Sequence, residues 1–318
     1  MKNNIPLELN RIEIITLADN YIDLVADDNN EIITRAMPLK DLELRNSIFA
    51  EHGFSVLIRT DLEEKQQTML FDFGFSKDAA SRNADALNID LGSVEQAALS
   101  HGHPDHFQGI CEIGKKTENG IDFVAHPAVF RKNRFIKTEL GININMPPIE
   151  PSTIEKAGFN IVKTTEPLLI LGKKVLFLGE IERKTSYEKR TPNAFYIKNG
   201  KEHKDYIEDD SALVMNLKGK GLVIVTGCAH SGIVNTVLYA IKVTGIKRIH
   251  AVMGGFHLSG KNFEPIIDDT VKDIKKIDPD YVIPTHCTGR KTINTFEREM
   301  PNAFICNMAG TTLTFSDN

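Results

Sequence analysis

The segment that decides the fold of this chain reads ALSHGHPDHFQG and runs from Ala98 to Gly109. It follows an apolar run and carries four residues of metal-binding type: His101, His103, Asp105 and His106. Residues two apart in an extended strand point the same way, so His101 and His103 can bind one ion. Asp105 and His106 then face elsewhere and can bind a second ion a few ångströms away. The segment therefore predicts a metal site, against the alternative of a histidine-rich surface loop.

Three later histidines strengthen the metal hypothesis. His230, His257 and His286 each follow an apolar run and lie in segments rich in glycine or other small residues. Packing alone does not explain three histidines at strand ends, whereas imidazole is an ordinary ligand of zinc, manganese and iron. Four other histidines have weaker contexts: His52, His126, His203 and His250. A structural, hydrogen-bonded role is expected for His250 inside a predicted strand, and His203 lies in a charged loop.

The fold class follows from short apolar runs that are rich in β-branched and aromatic residues and are bounded by Gly, Asp or Pro. Eleven runs are predicted as strands: Ile12–Asp19, Phe54–Arg59, Thr68–Gly74, Ala97–His101, Ile121–His126, Lys173–Gly179, Ser211–Leu217, Gly221–Cys228, Arg248–Gly255, Tyr281–Cys287 and Ala303–Met308. Helical periodicity favours a helix with Ser231 as its cap and Gly245 as its stop, and another that ends before Pro279. Two strand-rich halves with helices between them predict an α/β sandwich of four layers, with strand ends meeting at one edge.

The interval from Arg131 to Tyr206 differs from the rest because it is polar and irregular around one predicted strand. We expect a single domain over residues 1–318 in which residues 131–206 form a lid-like insertion over the site. Its cationic and aromatic side chains are candidates for contact with an anionic, aromatic substrate: Phe130, Arg131, Lys132, Arg134, Phe135, Tyr187, Lys189, Arg190, Phe195 and Tyr196.

Composition excludes several classes of protein. The 318 residues are 41% hydrophobic and 25% charged, which is typical of a globular enzyme-sized domain. The net charge is −5 and the basic residues are scattered, so no nucleic-acid partner is expected. The sequence starts without an apolar leader and has no run of about 20 apolar residues, so no membrane partner is expected either. Four widely spaced cysteines do not form a disulfide framework, which favours a reducing cytoplasm.

LSHGHPDHFQG, preceded by LFDFG with Asp72, resembles the HxHxDH signature of the metallo-β-lactamase superfamily. Further stretches are similar to the subgroup of 7,8-dihydropterin-6-methyl-4-(β-D-ribofuranosyl)aminobenzene 5′-phosphate synthase and related metal-dependent hydrolases. These stretches read FAEHGFSVLI, DDSALVMNLKGKGLVIVTGCAHSGIVNTVLYA, IHAVMGGFHLSG and PTHCTG. The resemblance covers about Ile12 to Phe315 and implies the four-layer αββα sandwich of the superfamily.

The resemblance also implies a ligand set for two divalent ions with a water or hydroxide between them. His101, His103 and His230 would hold one ion, and Asp105, His106 and His286 would hold the other. Zinc is favoured, with manganese, iron and magnesium as alternatives.

Several residues near this ligand set keep more than one interpretation. Many superfamily members have a bridging aspartate where this chain has Cys228, which either coordinates or, as we favour, packs beneath the site. Cys287, beside His286, is expected to pack in the same way. Asp209 and Asp210 lie near the place of another superfamily ligand, and contact with metal, substrate or solvent stays open for both.

Two residues are expected to assist catalysis. Asp72 is expected to accept a hydrogen bond from a ligand imidazole, which fixes the ring, although it could also be a turn residue before Gly74. His257 resembles an additional histidine of the tRNA 3′-processing endonucleases of this superfamily. The resemblance therefore implies that His257 is a general acid or phosphate contact, with metal ligation as the alternative.

These residues imply a dinuclear hydrolase that uses a metal-bridged hydroxide on a small phosphorylated or diphosphate-containing, aromatic substrate. One alternative is a synthase-like transferase that releases diphosphate from a dihydropterin diphosphate. Another is a noncatalytic metal-binding protein, since a fold does not dictate a function. A β-lactamase, a nuclease and a flavin-linked diiron enzyme are not expected.

Overall fold

The computed structural model describes residues 4–37, 39–40, 42–44, 48–188 and 191–318. Its α-helices, in chain order, are α1 (Ala79–Ala86), α2 (Ile110–Gly114), α3 (Pro151–Lys156), α4 (Ile233–Thr244), α5 (Ile267–Ile277) and α6 (Arg290–Glu299). Its strands are β1 (Glu8–Leu9), β2 (Arg11–Ala18), β3 (Ile33–Thr34), β4 (Leu39–Lys40), β5 (Glu43–Leu44), β6 (Ser55–Leu62), β7 (Lys65–Phe71), β8 (Gln96–Ala98), β9 (Ile121–Ala125), β10 (Arg134–Lys137), β11 (Asn143–Asn145), β12 (Phe159–Lys163), β13 (Leu168–Ile170), β14 (Val175–Phe177), β15 (Ala194–Lys198), β16 (Lys201–Lys204), β17 (Ala212–Leu217), β18 (Gly221–Thr226), β19 (Ile249–Gly255), β20 (Tyr281–Thr285) and β21 (Thr312–Ser316).

Two large sheets form the centre of the molecule. One has eight strands in the order β12-β9-β8-β7-β6-β2-β21-β3, and the other has the order β13-β14-β17-β18-β19-β20 with β1 added beside β17. Alternate residues of each strand point to opposite faces, so Met69 and Phe71 of β7 enter the core between the sheets while Leu70 faces outward. Leu213 of β17 likewise points inward and Val214 outward.

Helices cover both outer faces. The outward residues of the eight-stranded sheet pack on α1, α2 and α3, and those of the other sheet pack on α4, α5 and α6. The predicted αββα sandwich is therefore confirmed, and its apolar layers are continuous because one face of each strand and one stripe of each helix must be buried.

Strand direction decides where the functional loops lie. Strands β7, β8 and β9 run parallel to one another, and so do β18, β19 and β20. The carboxyl ends of parallel strands share one edge of a sheet, and the loops that leave this edge are the usual place for a ligand site in α/β proteins. These loops carry Asp72 after β7, the His101 segment after β8, His230 after β18, His257 after β19 and His286 after β20.

The structure differs from the predicted strands at two places near the end of the chain. Ala303–Met308 is not a strand, because it makes only an isolated bridge between Phe304 and Val282. Its apolar side chains reflect burial in the core instead of ladder pairing. The strand β21 was not predicted, although its burial alternates along TLTFS and it pairs with β2.

Helix α4 begins differently from the prediction. Ser231 does not cap it; Gly232, with φ 96°, precedes its first turn. The carboxylate of Glu188 instead accepts hydrogen bonds from Val234 N and Asn235 N, both at 2.8 Å. A residue far away in the chain thus satisfies the free amides of the helix start. Gly245 ends the helix in the left-handed conformation, as predicted.

Residues 131–206 contain more regular structure than the single strand that was predicted. Strands β10, β11, β15 and β16 form a separate sheet in the order β11-β10-β15-β16, while α3, β12, β13 and β14 join the main layers. Among the described residues no helix combines the length and apolar character needed to cross a membrane.

Candidate metal centre

The loops at the shared strand edge bring five histidine rings together. The ring centroid of His101 lies 4.5 Å from that of His103, 4.3 Å from His106 and 4.8 Å from His230. His286 joins the cluster through His106, with 5.0 Å between the centroids. These rings come from both sheets, so the sandwich itself assembles the cluster.

The backbone at this edge is strained. Asp72, Ala229, His257 and His286 have positive φ values of 63°, 52°, 45° and 50° although none is glycine. Such conformations cost about 1–3 kcal/mol each and persist where the surrounding structure fixes them, often at functional sites. Four such residues beside one cluster indicate that the fold accepts unfavourable backbone conformations here in order to orient side chains.

The six predicted metal ligands fall into two neighbouring groups. We call His101, His103 and His230 the histidine group, and Asp105, His106 and His286 the acidic group. Donor atoms of His101, Cys228 and His230 lie within 4.8 Å of one another, and so do those of Asp105, His106, Cys228 and His286. His103 Nδ1 lies 3.1 Å from His230 Nε2. The structure brings all six together, and metal binding by them stays a prediction.

Cys228 belongs to both of these sets of donor atoms and, with His257 and Cys287, to a third set within the same 4.8 Å limit. Its Sγ lies 3.2 Å from His106 Nε2, and burial raises the pKa of its thiol well above the ordinary value. Cys287 also lies near, with its Sγ 3.7 Å from Cys228 O. Cys228 thus occupies the position between the two groups, which is where a shared ligand would stand. The packing role preferred from sequence and the alternative of coordination both stay predictions.

Three buried ring nitrogens of the two groups have no hydrogen bond among the described residues: His101 Nε2, His230 Nδ1 and His286 Nε2. His286 Nε2 does lie 3.3 Å from Asp105 Oδ2, which belongs to another predicted ligand. A buried polar atom without a partner costs about 1–3 kcal/mol, so proteins rarely leave one without a reason. A cation accepted by both groups would satisfy them, and the donor set of imidazole, carboxylate and thiol suits zinc or another transition metal.

Asp72 lies where the sequence analysis expected it. The side chain is fully buried, and its Oδ2 lies 2.7 Å from His106 Nδ1. Ser100 donates to the same carboxylate through its backbone N and its Oγ, both at 2.7 Å. This contact fixes the His106 ring and directs Nε2 towards the centre, as carboxylates beside metal-bound histidines do.

The loop of His286 has a comparable anchor that sequence analysis missed. Asp19 is buried and accepts from His286 N at 3.0 Å and from Asn307 Nδ2 at 2.7 Å, while the Thr285 hydroxyl donates to it as well. Asn20 Nδ2 donates to His286 O at 2.9 Å. Asp19 ends an apolar run as Asp72 does, and that likeness is the signal that could have found it.

Charge differs sharply between the groups. Burial lowers the pKa of His103 to about 4, and the pKa values of His101 and His230 fall well below the ordinary value for the same reason. Burial also acts to lower the pKa of His106, but the carboxylates of Asp105 and Asp72 outweigh it and raise that pKa to about 9. The histidine group is therefore neutral at pH 7, with lone pairs free for a metal.

The structure shows the protein contacts of Asp209 and Asp210. Asp209 accepts from Gly102 N at 2.8 Å, and Arg134 donates to the same carboxylate at 2.9 Å. Asp210 accepts from Ser231 N at 2.8 Å, and burial raises its pKa to about 6. Each aspartate thus holds the backbone of a loop that carries predicted metal ligands, while Oδ1 of Asp210 has no partner among the described residues. A Cβ at Gly102 would lie 2.4 Å from a backbone oxygen, so only glycine fits there.

Most of the residues proposed for substrate contact already have protein partners. Arg134 is buried against Asp209, and Arg131 pairs with Glu208 at 2.6 Å while lying over the Tyr196 ring at 4.4 Å. Other residues of this set also contact protein partners. Lys132 pairs with Glu150, Tyr187 donates to Asp273, Phe130 lies under Lys163, and Phe135 stacks on Phe195. Lys189 and Arg190 lie outside the described residues.

His257 lines a cavity of about 370 Å³ together with His103 and His230 of the histidine group. Its ring centroid is 4.1 Å from that of His230 and 4.6 Å from that of Phe263, and its buried Nδ1 has no partner among the described residues. Other lining residues include Ile136 of β10 and Met146, which follows β11, while the lid-like role of residues 131–206 stays a prediction.

The other histidines divide as their contexts suggested, with one exception. His250 Nδ1 lies 2.7 Å from Asp280, His126 Nδ1 accepts from Ala128 N at 3.1 Å, and His203 is an exposed residue of β16. His52 is the exception. Its ring stacks on that of His286, with centroids 4.9 Å apart and 30° between the planes.

Comparison with known proteins gives a consistent result. No family model matches the sequence. The chain is 34% identical over 292 residues to 7,8-dihydropterin-6-methyl-4-(β-D-ribofuranosyl)-aminobenzene-5′-phosphate synthase from Methanocaldococcus jannaschii, covering 91% of this chain and 97% of that protein.

Solved structures agree with this result. A metal-dependent hydrolase of the β-lactamase superfamily superposes with a TM-score of 0.71 at 27% identity over 96% of this chain and all of that one. A metallo-β-lactamase fold protein from Bacillus subtilis has a TM-score of 0.51 at 10% identity, again over 96% of this chain and 100% of that chain. This second likeness concerns the fold alone.

Proposed function

Because the chain belongs to the metallo-β-lactamase superfamily, and within it to the family of the dihydropterin-linked synthase, we propose that it is a two-metal hydrolase. Its substrate in this proposal is a small anionic molecule with a phosphate ester or diphosphate bond. The single observation that carries the proposal is the pair of adjoining donor sets, each with its atoms within 4.8 Å of one another, which meet at Cys228 and include the buried, unbonded Nε2 of His101.

The residues that would hold the ions are those of the histidine group and the acidic group, with Cys228 between them. Zinc is the metal we favour, because imidazole and thiol donors outnumber carboxylate. When bound, two such cations lower the pKa of water and neutralise charge on a phosphoryl oxygen.

The protein's own contribution is orientation. Asp72 holds the His106 ring through Nδ1, and Asp19 holds the backbone of His286, so two of the acidic group's members are positioned before any ligand arrives. Burial keeps the imidazoles of the histidine group neutral at pH 7. A centre that is fixed in advance does not have to reorganise during the reaction.

We assign His257 to the leaving oxygen. Its ring lies against His230, and both residues line the cavity, so a group bound there would be next to His257 and to the candidate ligands His103 and His230. A histidine there can hold a proton and release it to the departing group. The apolar side chains of Ile136, Met146 and Phe263 would cover that group and exclude water.

A direct test uses protein loaded with zinc or manganese and an activated phosphodiester, bis-p-nitrophenyl phosphate. We expect turnover that chelator abolishes and added metal restores. Protein that binds two ions but turns over no phosphate ester or diphosphate would contradict the hydrolase and favour a noncatalytic metal-binding role.

A second candidate is a transferase of the kind that the synthase relative represents. The observation that favours it is the 34% identity over 97% of that relative's length. Such an enzyme would release diphosphate from a dihydropterin diphosphate only when a ribofuranosylaminobenzene phosphate acceptor is present. Diphosphate release that needs both substrates would replace the first candidate with the second.

A further inference from the structure

His52 lies at the rim of the acidic group on a firmly held loop. Phe54 N donates to Asp105 O at 3.1 Å, so the segment after His52 is bonded to the metal loop itself. On the other side, Glu51 N donates to Asp19 O at 2.9 Å. The His52 side chain nevertheless remains 62% exposed. A fixed backbone with an exposed ring is the arrangement of a residue that meets a ligand from solvent.

Two contacts fix the ring and its tautomer. One face stacks on His286, and Asn20 Nδ2 lies 3.1 Å from His52 Nδ1. The amide nitrogen of asparagine can only donate, so His52 Nδ1 accepts and the ring proton is on Nε2. The same Asn20 nitrogen donates to His286 O, which couples the orientation of His52 to that of a predicted metal ligand.

The proton on His52 Nε2 is aimed at the centre but has no acceptor among the described residues. The nearest acidic atom is Asp105 Oδ2 at 3.9 Å, which is beyond hydrogen-bond distance. That carboxylate oxygen already lies 3.3 Å from His286 Nε2 and 3.6 Å from His106 Nε2. The unused donor therefore faces the open side of the acidic group.

From this geometry we propose that His52 is a substrate-binding residue that donates from Nε2 to a phosphoryl oxygen held at the acidic group. The assignment rests on the proposed function, and it adds a donor opposite His257, which flanks the histidine group. The alternative is that His52 only covers His286 and retains metal. The two roles need different parts of the side chain, since covering needs a flat ring and binding needs the N–H.

Three variants separate these roles: His52→Phe keeps a ring without a donor, His52→Gln keeps a donor without a ring, and His52→Ala removes both. The measurements are metal content by mass spectrometry and the affinity of the zinc-loaded protein for inorganic phosphate by titration calorimetry. His203→Phe, at an exposed histidine on the small sheet, is the matched control. We expect full metal content in all four and a loss of phosphate affinity of about tenfold in His52→Phe and His52→Ala, but not in His52→Gln or the control.

Each contrary result has a separate meaning. Unchanged phosphate affinity in His52→Phe, or loss of metal in His52→Ala and His52→Gln but not in His52→Phe, would overturn the assignment of His52 and leave the proposed function intact. Wild-type protein that holds two ions but binds no phosphate would overturn the phosphate chemistry, and the role of His52 with it.

Discussion

The acidic group and the histidine group differ in what holds them. In the acidic group, Asp72 contacts the ring of His106 and Asp19 accepts from the backbone of His286. In the histidine group, His101 Nδ1 meets only a serine hydroxyl, and His230 Nδ1 has no partner among the described residues. Carboxylates thus hold both a ring and a backbone in the acidic group, whereas in the histidine group Asp209 and Asp210 hold only the backbone and no carboxylate in the described part of the chain contacts a ring nitrogen. The comparison teaches that two adjoining groups of candidate ligands can differ in how far the fold fixes their side chains.

Replacing Asp105 by alanine gives the largest expected effect. It removes the acidic group's own carboxylate, so we expect one ion per chain instead of two and a fall in turnover of about a thousandfold, since the missing cation supplies several kcal/mol. Metal analysis and phosphodiester turnover measure both. Loss of both ions would break the comparison, because it would mean that the histidine group cannot bind alone.

Replacing Arg134 by methionine tests the support behind the histidine group. Asp209 would remain buried without its guanidinium partner, which typically costs 3–5 kcal/mol. We expect a loss of about that size in the free energy of unfolding, measured with urea, together with weaker metal binding at the histidine group because Gly102 N loses a firm acceptor. Lys132→Met, an exposed cation paired with Glu150, is the control and should change stability by less than about 1 kcal/mol.

Replacing Asp72 by asparagine tests the support of the acidic group. The His106 ring would lose its charged anchor, and such contacts typically account for about 10- to 100-fold in metal affinity. Chelator competition should show weakening of one of the two ions only. Asp78→Asn, at an exposed site, is the control. Equal weakening of both ions would show that the groups are not independent.

The two groups should also give metal-free protein opposite responses to pH. His103 has a pKa of about 4 in the folded protein and an ordinary value near 6.5 when unfolded, so the unfolded chain binds more protons between these values and stability rises with pH. His106 has a folded pKa of about 9, so its contribution is complete below about pH 6.5 and is lost as pH rises through 9. Urea midpoints in chelator from pH 4 to 10 should therefore pass through a maximum. Replacing His106 by glutamine should remove the alkaline decline alone.

Sequence reasoning predicted the fold and placed the centre because both depend on local signals. The HxHxDH segment puts four candidate ligands in one stretch, and His230, His257 and His286 each follow a strand whose pattern is visible. The role of Asp19 could not be predicted, because its contacts join residues that are 266 to 288 positions apart in the sequence. Sequence also does not show which charged residues pair inside the protein. Arg134 is predicted as a substrate contact, but in the structure it is buried against Asp209.

A buried segment can also have the apolar sequence of a strand without being one. The run Ala303–Met308 is apolar because it fills space beside β20, yet it makes only one bridge. Conversely, β21 is half polar because one of its faces is partly exposed, and its pairing with β2 is a long-range property. Periodicity reports which side of a segment is buried, and it cannot report the neighbour that completes a ladder.

Because the loops of one sheet carry His101 and His106 while those of the other carry His230 and His286, ions bound between them would act as a clasp across the seam of the sandwich. The two sheets could then separate at this edge only after the ions dissociate. On heating, the metal-bound protein should therefore begin to unfold at the sheet edge opposite the ions. The concentration of free metal ions would then determine how long the folded protein survives.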